Sequence, residues 1–318
     1  MNEQILGIHH VTAICDDAQT NLDFYSGVLG LRLVKRTVNF DAPESYHLYY
    51  GDYSGRPGTL LTFFAWPGIR RGRSGTGQVN FTAFAIPPGS IDFWKGHLAR
   101  NDITATEKPP RFGEDLLGLT DPDGMSLELI ETEASPGFVP WKDGPIPAEY
   151  AIRGLHSVTA EEEGYERTAK LLTDALGFHL AQQERNRFRY KIGTGTAGKT
   201  IDLLCTPDTQ RGIVASGSVH HVAWRTESDV TQLTWRNKIV ELGYNISPVM
   251  DRDYFHSIYF REPGGVLFEI ATDPPGFTID EPLEELGTHL RIPTWLEPAR
   301  SQIEKLLPPL HLEQKAVL

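Results

Sequence analysis

Histidine follows histidine twice in this chain, as His9–His10 in GIHHVTA and as His220–His221 in GSVHHVAW. A neutral imidazole is a good ligand for a divalent cation. Two of them with one carboxylate form the set that leaves open positions on Fe(II). A suitable carboxylate is Glu269 in GGVLFEIAT, flanked by Leu267, Phe268 and Ile270, where an unpaired charge would be costly. Taken singly, a strand histidine is more often a hydrogen-bonded core residue, and a strand-end glutamate is usually solvated. The case for chemistry rests on where these residues fall in an internal repeat.

GIHHVTA at 7–13 returns as GLHSVTA at 154–160, and LGLRL at 29–33 as LGFHL at 176–180. DPDGMSLELIE at 121–131 returns as EPGGVLFEIAT at 262–272, and GQVNFTAF at 77–84 answers GSVHHVAW at 217–224. One unit therefore occurs four times, starting near Gly7, Gly77, Gly154 and Gly217. Each opens with a strand and continues into an amphipathic helix. The apolar faces expected for these helices are Leu22, Tyr25 and Leu29; Ile91, Trp94 and Leu98; Tyr165, Leu172 and Leu176; and Val230, Leu233 and Val240. Gly30, Gly177 and Gly243 stand where a left-handed helix cap is wanted. Strands such as YHLYYGD, GTLLTFFAW, SIYF and GVLFEIA follow, so the unit is βαβββ and the fold class α+β. Residues 1–150 carry two units and 151–272 two more, joined by the Pro-rich stretch at 135–150. A tail at 273–318 holds one helix near Ala299 to Leu307 and no legible role.

With the units aligned, the residue before the first apolar strand position is His10, Phe81, Ser157 and His221 in turn. The last strands of the second and fourth units carry Glu128 and Glu269. Only His10, His221 and Glu269 make up a complete ligand set for Fe(II), and Mn(II) accepts similar donors.

The I-H-H-V first strand and the G-G-V-L-F-E last strand resemble the vicinal oxygen chelate superfamily, which includes glyoxalases, antibiotic-resistance proteins and extradiol ring-cleaving dioxygenases. The likeness spans residues 1–272. GIHHVTA, LVKRTVNFD, YHLYYGD, RFG, RGLHS, HHVAW and RDYFHSIYFREPGGVLFE are similar to its iron-dependent, hydroquinone-cleaving branch. The resemblance implies two cup-shaped mixed sheets and an Fe(II)-dependent enzyme acting on a small aromatic diol with O2. One departure sets the architecture. In catechol-cleaving members the third unit gives the first histidine, but that position here is Ser157, so His10 must substitute. Units one and four should then share the metal cup, leaving units two and three a cup with Phe81, Glu128 and Ser157, without histidine and without iron. A glyoxalase-like site needs a fourth protein ligand from the partner unit's last strand. TLLTFFAW at 59–66 offers neither acid nor amide.

By the same resemblance His9, Thr12, His220, Arg252 and Tyr259 surround the ligands, Arg252 holding an oxyanion or distal hydroxyl and Tyr259 donating to substrate oxygen. Strand alternation turns His9 away from the face of His10 and gives that face to Thr12. His256 reads as a surface residue. The competing functions are catechol cleavage by the same triad and sequestration of a ligand without catalysis.

The net charge of −12 argues against a nucleic-acid partner, and the basic knot Arg70, Arg71 and Arg73 reads as a solvated loop. GTGTAG at 193–198 reads as a hairpin turn, and Cys15 and Cys205 as reduced thiols. No apolar run is long enough to span a bilayer, and no signal peptide is visible at the start. A cytoplasmic homo-oligomer without membrane contact is the expectation.

Overall fold

A computed structural model describes residues 4–132, 137–195 and 197–312. Part of the 135–150 connection and of the 193–198 turn lies outside these residues.

The four units appear in order. The first comprises β1 (Ile8–Cys15), α1 (Ala18–Leu22), β2 (Arg32–Asn39), β3 (Ala42–Gly51) and β4 (Leu60–Ala65). The second has β5 (Gln78–Ile86), α2 (Ile91–Arg100), β6 (Thr106–Arg111), β7 (Glu114–Thr120) and β8 (Ser126–Glu131). The third has β9 (Leu155–Glu162), α3 (Glu166–Lys170), β10 (His179–Glu184), β11 (Arg187–Lys191) and β12 (Thr200–Cys205). The fourth has β13 (Ser218–Thr226), α4 (Asp229–Glu241), β14 (Met250–Asp251), β15 (Phe255–Arg261) and β16 (Leu267–Pro275). Helix α1 widens into an i→i+5 turn before Gly30, where Leu29 N–H donates to Phe24 at 2.9 Å. Helix α3 does the same before Gly177, with Leu176 N–H on Leu171 at 3.1 Å. Gly30, Gly177 and Gly243 all have positive φ, as a left-handed cap requires.

Two eight-stranded mixed sheets result, ordered β14-β15-β16-β13-β1-β4-β3-β2 and β10-β11-β12-β9-β5-β8-β7-β6. The first joins units one and four through an antiparallel β1–β13 seam; the second joins units two and three through β5–β9. Each curled sheet thus draws one unit from each half of the chain, the pairing that Ser157 in place of a histidine required. The connections between sheets run side by side, with Arg71 bridging to Ser216 and Arg73 to Ile213. Arg70, Arg71 and Arg73 are exposed there. Cys15 and Cys205 are both free thiols.

Three helices present the expected apolar face, but α4 does not. Val230 is 71% exposed and Leu233 and Val240 are about half exposed, while Gln232, Trp235 and Ile239 are buried. The reason is polar: Gln232 Nε2 donates to the carbonyls of His256 (2.7 Å) and Ile270 (2.8 Å), which turns its side of the helix to the sheet. No helix among the described residues is long and apolar enough to cross a membrane.

The tail closes one end of the first cup. Phe277 and Leu286 pack with Val34, Tyr49, Leu60, Tyr254 and Phe255 in a separate apolar cluster. Lys35, fully buried on β2, ties the tail down by donating to Asp280 (2.6 Å), to Glu281 and to the Phe277 carbonyl (3.2 Å). The tail's helix, α5 (Arg300–Leu306), buries Ile303.

Candidate metal centre

His10 on β1, His221 on β13 and Glu269 on β16 come from three adjacent strands of the first sheet. Their ligand atoms lie within 4.8 Å of one another, and all three residues are buried. His10 Nε2 is 3.2 Å from His221 Nε2 and 3.3 Å from Glu269 Oε2; His221 Nε2 is 2.8 Å from the same oxygen. Burial pushes the Glu269 carboxyl up, but the two imidazoles more than offset this and hold it well below the usual carboxylate range. Burial lowers His221 despite Glu269. Glu269 Oε1 accepts from Ser257 Oγ, leaving Oε2 to face the imidazoles.

The leading histidine of each pair does not turn away. His9 Nδ1 lies 2.9 Å from His10 Nδ1, and His220 Nδ1 lies 2.8 Å from His221 Nδ1. The expected alternation fails because the β1–β13 ladder slips twice: Ile8 pairs with Trp224 and His10 with Ala223, then Thr12 with His221 and Ala13 with Val219. His9 and His220 are the extra residues of two β-bulges, which bring neighbouring side chains to one side. When His9 and His220 accept at Nδ1, the tautomer of His10 and His221 puts a lone pair on each Nε2. Three electron-pair donors then face one point without a proton between them. That arrangement fits a divalent cation with two imidazole ligands and one carboxylate.

Comparison with known proteins gives the family. The model of the Glyoxalase/Bleomycin resistance protein/Dioxygenase superfamily matches residues 7–129 and 154–270. The chain belongs to that superfamily. It is 45% identical over 314 residues to a Bacillus subtilis protein named "Putative ring-cleaving dioxygenase MhqO", covering 99% of each chain. It is 36% identical over 310 residues, 95% of each chain, to the chlorohydroquinone/hydroquinone 1,2-dioxygenase of Sphingobium indicum. A Bacillus subtilis crystal structure with 45% identity superposes at a TM-score of 0.94, covering 98% of this chain and 99% of that one. Glyoxalase I from Zea mays shares the fold at a TM-score of 0.64 and 17% identity, covering 89% and 97%.

In this superfamily member His10 and His221 of the triad line a cavity of about 310 Å³. Its walls are aromatic (Phe40, Phe64, Trp66 and Phe255) with Arg252 and Tyr259 on the unit-four side. Tyr259 pairs with Glu269 across β15–β16, and its ring lies 5.7 Å from that of His221. Burial raises its phenol above the ordinary value, and Arg252 Nε donates to the hydroxyl at 3.2 Å. Arg252 Nη1 also reaches Asp41 at 3.3 Å, across the pocket mouth. Burial, then His221, brings His220 down to about 3. Thr12 lies away from the cavity and bonds to Thr62 Oγ1 at 2.8 Å. His256, outside the cavity and half-buried, meets Asp229 at 2.6 Å.

Sequence reasoning missed His47 and Tyr49 on β3, which line the cavity opposite Arg252. His47 Nε2 meets Thr62 Oγ1 and its Nδ1 meets Tyr49 Oη, both at 2.9 Å. The signal was the polar tip in every second residue of YHLYYGD, obscured by its aromatic background.

The second cup, expected to lack histidine, does contain one. His156 meets Ser157 Oγ at 2.9 Å and Glu114 at 3.1 Å. Arg111 clasps both oxygens of Glu128, one at 3.0 Å. Arg189 bonds Asp202 (2.8 Å) and Glu114 (2.5 Å), and Arg187 bonds Thr159 at 2.8 Å. Burial alone would raise Glu114, yet His156 and Arg189 bring it down to about 2.

Proposed function

We propose that the chain is a non-haem Fe(II)-dependent, extradiol-type dioxygenase that opens the ring of hydroquinones with O2. The reading is carried by His10, His221 and Glu269 converging as lone-pair donors with no protein cation among them. Bound there, Fe(II) supplies open positions for diol and O2, the electron transfer between them, and a charge that favours the ionised diol.

The chain's own groups do the rest. His9 and His220 fix the tautomer and orientation of the ligand imidazoles from behind. Tyr259, protonated and held by Arg252, donates to the substrate oxygen that lies nearest Glu269. Phe64, Trp66, Phe255 and Leu267 give the ring a dry slot. His220, kept neutral by burial, holds its Nδ1 as the acceptor for His221 and adds no positive charge beside the ligands.

The test is anaerobic Fe(II) loading, metal analysis, and oxygen uptake with hydroquinone and with catechol at matched loading. Uptake with hydroquinone in preference to catechol supports the reading. Loaded protein that consumes no oxygen with either diol sinks it.

A further inference from the structure

The cavity has two polar walls, on opposite sides of the triad. On the unit-four side, Tyr259 stands on β15, directly beside the strand of Glu269. That is one strand spacing, about 5 Å, so its hydroxyl serves the end of a ring closest to the ligands. On the unit-one side, His47 and Tyr49 stand on β3, separated from β1 by β4. Two spacings put that wall about 10 Å from the strand of His10, the distance scale of a ring anchored at one end and recognised at the other.

The chemistry of that wall suits a hydroxyl. Tyr49 Oη spends one interaction on His47, and a phenol has more to offer. Behind it run His47, Thr62 and Thr12, linked at 2.9 and 2.8 Å, every member neutral and able to donate or accept. Protons arranged in one sense let Tyr49 donate into the cavity; in the other sense its oxygen accepts. Phe277 and Tyr254 pack on the Tyr49 ring at 5.2 and 6.2 Å and fix it against the cavity. The matching register in the second cup, Thr159 to Asp202 to Arg189, is a locked ion-pair array with no reversible hydroxyl pair.

We propose that Tyr49, positioned by His47, receives the far hydroxyl of a para-diol and is the residue that makes this cavity prefer hydroquinones to catechols. The inference rests on the ring-cleaving reading above for its choice of ligand.

The experiment is equilibrium binding to metal-loaded protein without oxygen, using hydroquinone, catechol and phenol. The native chain should bind hydroquinone about 10-fold tighter than phenol, the order expected for one well-made buried hydrogen bond. Tyr49→Phe should weaken hydroquinone by that factor and leave catechol, phenol and metal content within twofold. His47→Gln should shift the same ratio in the same direction, which keeps the test available if one variant folds poorly. The proposal is overturned if the native chain shows no preference over phenol, or if Tyr49→Phe leaves the ratio intact. It is equally overturned if Tyr259→Phe, and not Tyr49→Phe, collapses it. Because no turnover is needed, a protein that binds with this pattern but consumes no oxygen would sink the dioxygenase reading alone.

Discussion

The two cups are built from the same unit, curled the same way, and solve the problem of a buried carboxylate in opposite ways. Glu128 and Glu269 stand at equivalent points, each level with an alanine on the neighbouring first strand, Ala83 and Ala223. In the second cup Arg111 supplies the counter-charge from the protein itself. In the first, the matching arginine, Arg252, lies instead along Tyr259 and Asp41 and leaves Glu269 to two imidazoles. Both arginines precede a non-glycine residue of positive φ, Phe112 and Asp253, so the turns match and the side chains differ. A cup whose arginine clasps its carboxylate is structural filling; a cup whose carboxylate meets imidazoles presents the donor set of a metal site. Buried charge always needs a partner, and the partner's origin separates scaffold from site.

The largest effect that could break this comparison is on metal retention. His10→Ala, His221→Ala or Glu269→Ala should each abolish stoichiometric metal after loading and gel filtration, and reduce oxygen uptake to background. Glu128→Ala should retain full metal, and metal lost in Glu128→Ala alone would show that the wrong cup had been chosen. Next in size, Glu128→Ala leaves Arg111 with only the longer contact to Asp202, 3.9 Å from its Nε, in a largely buried setting. An unfolding free energy lower by roughly 3 kcal/mol is expected in denaturant titration, since breaking one side of a buried pair is costly. A loss under 0.5 kcal/mol would mean that the pair fills space without bracing the sheet.

Smaller again is the effect of the leading histidines. His220→Phe removes the acceptor at His221 Nδ1, and metal affinity measured by chelator competition should fall about 10–100-fold. His156→Phe, its counterpart in the second cup, should leave affinity unchanged. The smallest effect tests whether the asymmetry extends beyond the cups. Glu162 is fully buried beside Glu262, where units one and two have Cys15 and Asp121 at the repeat positions. Burial, then Glu262, raises Glu162 to about 9. A carboxyl kept protonated by the fold stabilises most at and below its ordinary value. That contribution is lost as pH climbs from about 4.5 through 9, because the unfolded chain releases the proton first. Glu162→Gln should flatten this slope and raise the unfolding midpoint at pH 8 by a few degrees. An unchanged pH profile would show that the pair is neutralised in another way.

Much of the site was legible because repetition supplies an internal alignment. His10 and His221 stood out against Phe81 and Ser157, and Ser157 alone was enough to pair unit one with unit four. The neighbours were harder to read. His9 and His220 were expected to face away from their partners because strand alternation is a rule of regular ladders, and bulges are a property of the pairing rather than of either strand. His47 and Tyr49 escaped notice because their counterparts at the same register are arginines, so the repeat offered no matching residue to flag them. On α4 the apolar residues lie on both faces, and only the two carbonyls waiting on the sheet for Gln232 decide which face turns inward. The tail had no repeat to be compared with, and its anchor, Lys35, lies on a strand more than two hundred positions earlier.

The interleaving of the halves carries a consequence for anyone who would cut this protein in two. A fragment ending near residue 132 would keep β1 to β8 but strip β1 and β5 of their antiparallel neighbours, baring two long edges to solvent. Such a piece has an obvious remedy in its missing complement. Separately made amino- and carboxy-terminal fragments should therefore recognise each other on mixing, and neither should behave as a well-mannered protein by itself.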